Sequence, residues 1–215
     1  MGYTKETPQR IVEAAVRLFS YNGFNLTSTR EIARLAGVHE VTVFRYFPRK
    51  QDLFLAAIQS RLERLRLHKD LQRGLSENQP PEIVIPHIIE FLVETAAYNP
   101  ELIKLLRFGL MEFRVDAEQI YRTQLGPLFR SLVTYLEHCV SRGSARDVDP
   151  SMAAVAFVTT ILSHQGLCQL FTGNAKSFAN TEQMIAAYTK FWLTLVLPDG
   201  AGKSIRAMSA SFSRA

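Results

Sequence analysis

The stretch Ser28–Leu53, STREIARLAGVHEVTVFRYFPRKQDL, reads as a helix, a tight turn and a second, shorter helix. Ser28 with Glu31 three residues on is a capping box: the hydroxyl accepts from an orphan helix N–H while the carboxylate reaches back to the backbone. The helix so started runs to about Ala36. Gly37 turns the chain, and Val38 can return an apolar side chain to a small core. The next helix covers roughly His39 to Tyr46. Phe47-Pro48 breaks it, since the residue before a proline is pushed out of helical backbone. This is the layout of a helix-turn-helix, a motif whose second helix enters the DNA major groove.

Upstream, Thr7-Pro8 opens a first helix, threonine serving as cap and proline suiting the first helical position. Its apolar stripe Ile11, Ala14, Ala15, Leu18, Phe19 has helical spacing, and Asn22-Gly23 ends it. Downstream, a long amphipathic helix is expected from about Lys50 to Arg73, with Leu53, Ala56, Ala57 and Leu62 facing inward, and a linker over Gly74–Pro81. Helical spacing then continues over about 81–98, 100–113, 117–142, 150–171 and 181–197, with Arg142–Asp149 as a loop and Asp149-Pro150 as a further helix start. After Pro198 the periodicity is lost, and residues 199–215 are expected to form a mobile tail. The expected fold is all-α: an N-terminal three-helix helix-turn-helix domain (1–53) followed by a larger C-terminal helical bundle (54–198).

Composition narrows the class. Hydrophobic residues make up 47% of the 215 and charged residues 21%, enough for a real core in an ordinary soluble balance. The formal charge is +5, and residues 1–53 carry eight Lys/Arg against five acids, so a quarter of the chain holds most of the excess. Polyanionic partners are favoured. The two cysteines, Cys139 and Cys168, sit in apolar helical patterns, as buried free thiols do, and are too few for a disulfide framework. With no N-terminal apolar leader and no apolar run of about 18 residues, a cytoplasmic protein without membrane contact is expected.

A DNA-reading head needs donors for phosphate oxygens and side chains that reach base edges. Ser28 and Thr29 lie at a helix N-terminus, whose free N–H groups suit a phosphate. Arg30, on the first turn, reaches a phosphate or a guanine edge. Thr42, Arg45 and Tyr46 fall at i, i+3, i+4 and share a face, while Val43 and Phe47 form an opposite apolar pair. Glu40 and Val41 open the short helix, and Arg49 and Lys50 add charge at the start of the next. The DNA-contacting set is therefore Ser28, Thr29, Arg30, Glu40, Val41, Thr42, Arg45, Tyr46, Arg49 and Lys50.

At these residues the chain resembles the TetR (tetracycline-repressor-like) family of bacterial transcriptional regulators. The resemblance rests on the first-helix spacing Ile11 to Phe19, Gly23-Phe24, Thr27, EIARLAGV (Glu31–Val38) and VTVFRYFPRKQDL (Val41–Leu53). It is strong over residues 8–55. Beyond them only length, helical layout and NPELIKLL (Asn99–Leu106) match. The chain departs from the family where His39 replaces a small cap, where Glu40 puts an acid near phosphates, where Phe44 replaces a tyrosine whose hydroxyl touches a phosphate, and where Arg49 replaces a Ser or Asn cap.

The resemblance implies a C-terminal small-molecule pocket and a dimer interface made by the last two long helices. For the interface, Phe157, Ile161, His164, Tyr188, Phe191 and Trp192 are expected, pairing with their symmetry mates as a four-helix bundle. For the pocket, Phe91, Glu94, Tyr98, Arg107, Phe108, Glu112, Tyr121, Phe129 and His164 are the candidates, with His87 as a further polar anchor. Two heads about 34–36 Å apart would read a palindrome. The expected function is a dimeric repressor, released from a double-stranded operator by a small apolar or amphipathic effector, with no cofactor and no metal. An activator or a regulator without ligand is the alternative. An enzyme built on His164 and Cys168, at i, i+4, stands lower, because no acid adjoins them. A non-specific architectural DNA binder would need a larger charge excess.

Overall fold

The computed structural model describes residues 6–65, 69–112, 122, 125–172 and 181–198. The 199–215 tail and Tyr121 lie outside the described residues. The described residues form ten helices and no strand: α1 Glu6–Asn22, α2 Thr29–Ala36, α3 Glu40–Tyr46, α4 Lys50–Leu62, α5 Lys69–Ser76, α6 Pro81–Tyr98, α7 Pro100–Glu112, α8 Gly126–Ser141, α9 Pro150–Thr172 and α10 Thr181–Val196. Proline begins α6, α7 and α9, where its missing N–H costs nothing. Asp149 caps α9 by accepting from the Met152 N–H at 2.6 Å.

Two compact units share the chain. One comprises residues 1–66 and 99–127, the other 67–98 and 128–215. In the first, α1 packs against α2, α3, α4 and α7. Its core holds Ile11, Phe19, Ile32, Val43, Leu53, Phe54, Ile58, Leu102 and Leu105, none more than 1% exposed. In the second, α6 packs against α5, α9 and α10, around Ile85, Ile89, Tyr135, Phe157 and Trp192. The Tyr135 hydroxyl donates to the Gln79 carbonyl at 2.8 Å, and burial raises its pKa. Arg146 donates to the Leu197 carbonyl at 2.8 Å, satisfying one of the orphan acceptors at the C-terminal end of α10.

The single helix expected from Lys50 to Arg73 is instead two. α4 stops at Leu62 and α5 begins at Lys69. The two pieces serve different cores: Leu53, Phe54, Ala57 and Ile58 fill the first unit, whereas Leu71 belongs to the second. The linker is correspondingly shorter, since α5 continues through Gly74 to Ser76 and the turn is carried by Asn78 at φ 50. The packing units also divide the chain elsewhere than at residue 53, because α4 and the first turns of α7 close the core beneath α1.

Arg61 knits three helices of the first unit. Only 6% exposed, its guanidinium donates to both carboxylate oxygens of Glu13 on α1, at 2.6 and 3.0 Å, and to Glu101 on α7 at 3.1 Å. The fork shape of arginine permits this double engagement. The hydrogen bond from Arg61 holds the Glu13 carboxyl below its usual range, against the opposing effect of partial burial.

Candidate nucleic-acid interface

The capping box at Ser28 is complete. The Glu31 N–H donates to Ser28 Oγ at 3.2 Å, and the Ser28 N–H donates to Glu31 at 2.9 Å. The Ser28 hydroxyl also donates to the same carboxylate at 2.8 Å. These bonds to Ser28 hold the Glu31 carboxyl low. At the far end of α2, Gly37 takes φ 65 and ψ 41, a conformation that costs an L side chain free energy. Its N–H donates to the Arg34 carbonyl at 3.2 Å and the Val38 N–H to Ala33 at 3.0 Å, a Schellman closure. Arg10 of α1 donates to the Ala36 carbonyl across this turn. A Cβ on Gly37 would stand 2.8 Å from that guanidinium.

With the turn closed this way, α3 follows. His39 caps it without a side-chain bond, and the Thr42 N–H closes the first turn on the His39 carbonyl at 2.8 Å. Val43 is the only fully buried side chain of α3. At about 100° per residue, Glu40 and Tyr46 then flank the core, Thr42 and Phe44 lie to the sides, and Val41 and Arg45 point away from it. Exposure agrees: Val41 is 80% exposed and Phe44 44%, Arg45 is exposed, and Glu40 and Tyr46 are half-buried. Tyr46 packs against the core, so the face expected to be shared by Thr42, Arg45 and Tyr46 is led by Arg45. The Arg45 guanidinium lies 5.1 Å over the Tyr46 ring.

Three helix starts converge here. The Thr29 hydroxyl of α2 donates to Glu40 of α3 at 2.6 Å, a bond that the sequence reading missed because the partners stand eleven residues apart. Lys50 of α4 sits with its ammonium 4.2 Å over the Phe24 ring and adds to the field that holds Glu31 low. Arg49 also closes the start of its own helix. Its side chain pairs with Asp52 at 2.6 Å, and Asp52 in turn accepts from the Arg49 N–H at 3.1 Å. The side-chain bond from Arg49 lowers the Asp52 pKa. Arg30 and Arg34 project from the exposed side of α2. The result is an outward-facing short helix flanked by cations.

The residues expected at a ligand are divided between the two units. Phe91 belongs to the core of the second unit, and Phe129 packs against it half-buried. Tyr98 and Arg107 are exposed, Glu94 is half-buried, and Phe108 packs into the core of the first unit. The Glu112 side chain lies outside the described residues. Two surface hollows, of about 240 and 300 Å3, lie on the first unit, and neither is lined by these residues. In the second unit, His87 Nδ1, His138 Nε2, Thr189 Oγ1 and Trp192 Nε1 are buried without a hydrogen-bond partner among the described residues.

Of the residues expected on a dimer face, Phe157, Ile161, Tyr188 and Trp192 are taken up by the chain's own core. His164 Nδ1 is 2.6 Å from the Tyr188 hydroxyl, a contact between α9 and α10, and burial lowers its pKa. Phe191, 51% exposed, does point outward. With it, Leu195 on α10 and Met152 and Val155 on α9 are the large exposed apolar side chains among the described residues of these helices. Helical spacing alone does not separate these from the inward set, because both helices are apolar on more than one side.

Among known proteins, residues 11–57 match the family described as "Bacterial regulatory proteins, tetR family". A Bacillus subtilis relative, the HTH-type transcriptional regulator YvkB, is 30% identical over 103 residues, 47% of this chain and 51% of its own. The chain spans about half the length of the curated relatives it matches. Among solved structures, the flavonoid-responsive regulator FrrA is 26% identical, with a TM-score of 0.60, over 92% of this chain and all of its own. AibR, solved with isovaleryl coenzyme A and operator DNA, shares the fold at a TM-score of 0.69 and 17% identity, over 90% of this chain and all of its own.

Proposed function

The chain belongs to the TetR family of bacterial regulatory proteins, and on that premise we propose that it is a cytoplasmic, dimeric, ligand-responsive transcriptional repressor. The observation that carries this reading is the convergence of the α2, α3 and α4 starts around an outward-facing α3, with Arg45 on its apex. Ser28, Thr29, Arg30 and Lys50 serve the phosphates, while Val41, Thr42 and Arg45 meet the bases. Phosphate contacts position the head and base contacts specify its sequence.

One seven-residue helix reads few base pairs, so two heads are needed. The exposed positions Met152, Val155, Phe191 and Leu195 supply an apolar face on α9 and α10 suited to a second copy. The effector reading is supported by the orphan polar atoms His87 Nδ1, Thr189 Oγ1 and Trp192 Nε1, since buried polar groups are ordinarily satisfied. A small, mainly apolar effector with a polar end would meet them, and Glu94, Phe129 and His164 stay within the proposed lining. FrrA and AibR lend support, one by a name that says it responds to flavonoids, the other solved with a coenzyme A thioester and operator DNA. Such an effector acts only as far as its affinity differs between the DNA-competent and incompetent states.

Selection of bound duplexes from a random library, followed by shift assays, tests the reading. Thr42→Ala and Arg45→Ala should weaken the selected sequence well beyond random DNA. Lys50→Ala should weaken both and reduce the salt slope by about one unit. Equal losses on both DNAs for all three variants would reject sequence-specific reading.

A further inference from the structure

On the reading of α3 as the groove-entering helix, we infer that Val41 is a specificity determinant that recognises the C5-methyl group of a thymine in each half-site. Three observations carry it. The side chain is 80% exposed on the most outward part of α3, opposite the anchoring Val43, and shares that apex with Arg45 one turn on. An isopropyl group has no hydrogen bond to offer, and thymine's methyl is the apolar group that the major groove presents. The neighbouring polar candidate is occupied: the Glu40 carboxylate accepts from Thr29 at 2.6 Å and is half-buried. At the start of α3 the outward group is therefore apolar, and its flanks carry the cations that bring a phosphate backbone close.

Deoxyuridine differs from thymidine by that methyl alone, which makes the test direct. Full-length protein is used to select a bound sequence, and each thymine of the selected site is then replaced singly by deoxyuridine. One thymine per half-site should be sensitive, with affinity falling about fourfold, the worth of one buried methyl-sized group. In Val41→Ala that position should lose most of its sensitivity, while the melting temperature is not lowered, as expected at a solvent-exposed helical site. A selected site in which no thymine responds, or in which Val41→Ala keeps the full response, overturns the assignment of Val41. Failure to enrich any sequence overturns the operator reading beneath it, so the two failures are told apart.

Discussion

The Thr29 hydroxyl and the Glu40 carboxylate are joined at 2.6 Å across the helix-turn-helix, tying the first turn of α2 to the first turn of α3. An acid at the edge of a DNA-reading surface repels phosphates. Here the hydroxyl holds it half-buried against the protein. Glu40→Gln keeps an acceptor for Thr29 and removes the charge. Affinity for random duplex should rise by about two- to fivefold at low salt, the scale of one unit charge near phosphates in a high dielectric. Thr29→Ala should lower it by releasing the carboxylate. Fluorescence anisotropy on unrelated DNA measures both, and a tighter-binding Thr29→Ala would contradict the tether.

Arg61 offers a test of stability. Arg61→Ala removes the bond between α1, α4 and α7 and leaves a void among Glu13, Glu101 and the stem's neighbours. The loss should be about 2–3 kcal/mol, below that of a fully buried pair because both acids are partly solvated. Arg61→Lys should recover less than half, since an ammonium cannot reproduce the fork. Urea midpoints at constant m report the difference, and full rescue by lysine would reduce the site to a point charge.

The same site sets a pH dependence. Glu13 titrates lower in the folded protein than its ordinary value of 4.5. Its contribution is therefore complete above that value and is lost as pH falls through the lower, folded pKa. Between pH 5 and acid unfolding, the melting temperature of the wild type should fall more steeply than that of Glu13→Gln. Parallel curves would show that other carboxylates govern acid unfolding.

For the proposed dimer, Phe191→Glu places a charge on the exposed apolar face of α10. The variant should sediment as a monomer while keeping the helical circular dichroism of the wild type, because Phe191 is only half covered within its own chain. An unchanged sedimentation coefficient would move the interface elsewhere.

Local signals in the chain translated well into structure where they act over a few residues. Ser28 with Glu31, Gly37 and Asp149-Pro150 each specify a helix end through their own hydrogen bonds, and each stands where expected. The break after Leu62 was hidden because Arg61-Leu62-Glu63-Arg64-Leu65 continues the helical spacing. The interruption is tertiary, with Arg61 drawn to Glu13 and Glu101 and Leu71 claimed by another core. Burial on α9 and α10 was equally unreadable, since Phe157 and Val155, or Trp192 and Phe191, are alike in polarity and differ only in which side the fold covers. The Thr29–Glu40 bond required the turn itself to bring the partners together.

The single full anchor on α3 has an evolutionary consequence. Val43 alone is wholly committed to the core, and the turn before it is held from outside the helix by Arg10 and the Gly37 closure. Substitution on the outward side of α3, at Val41 and Arg45 and beside them at Thr42, therefore leaves the scaffold in place. A duplicated gene could drift to a new promoter by a few changes at positions 41, 42 and 45 without passing through an unfolded intermediate.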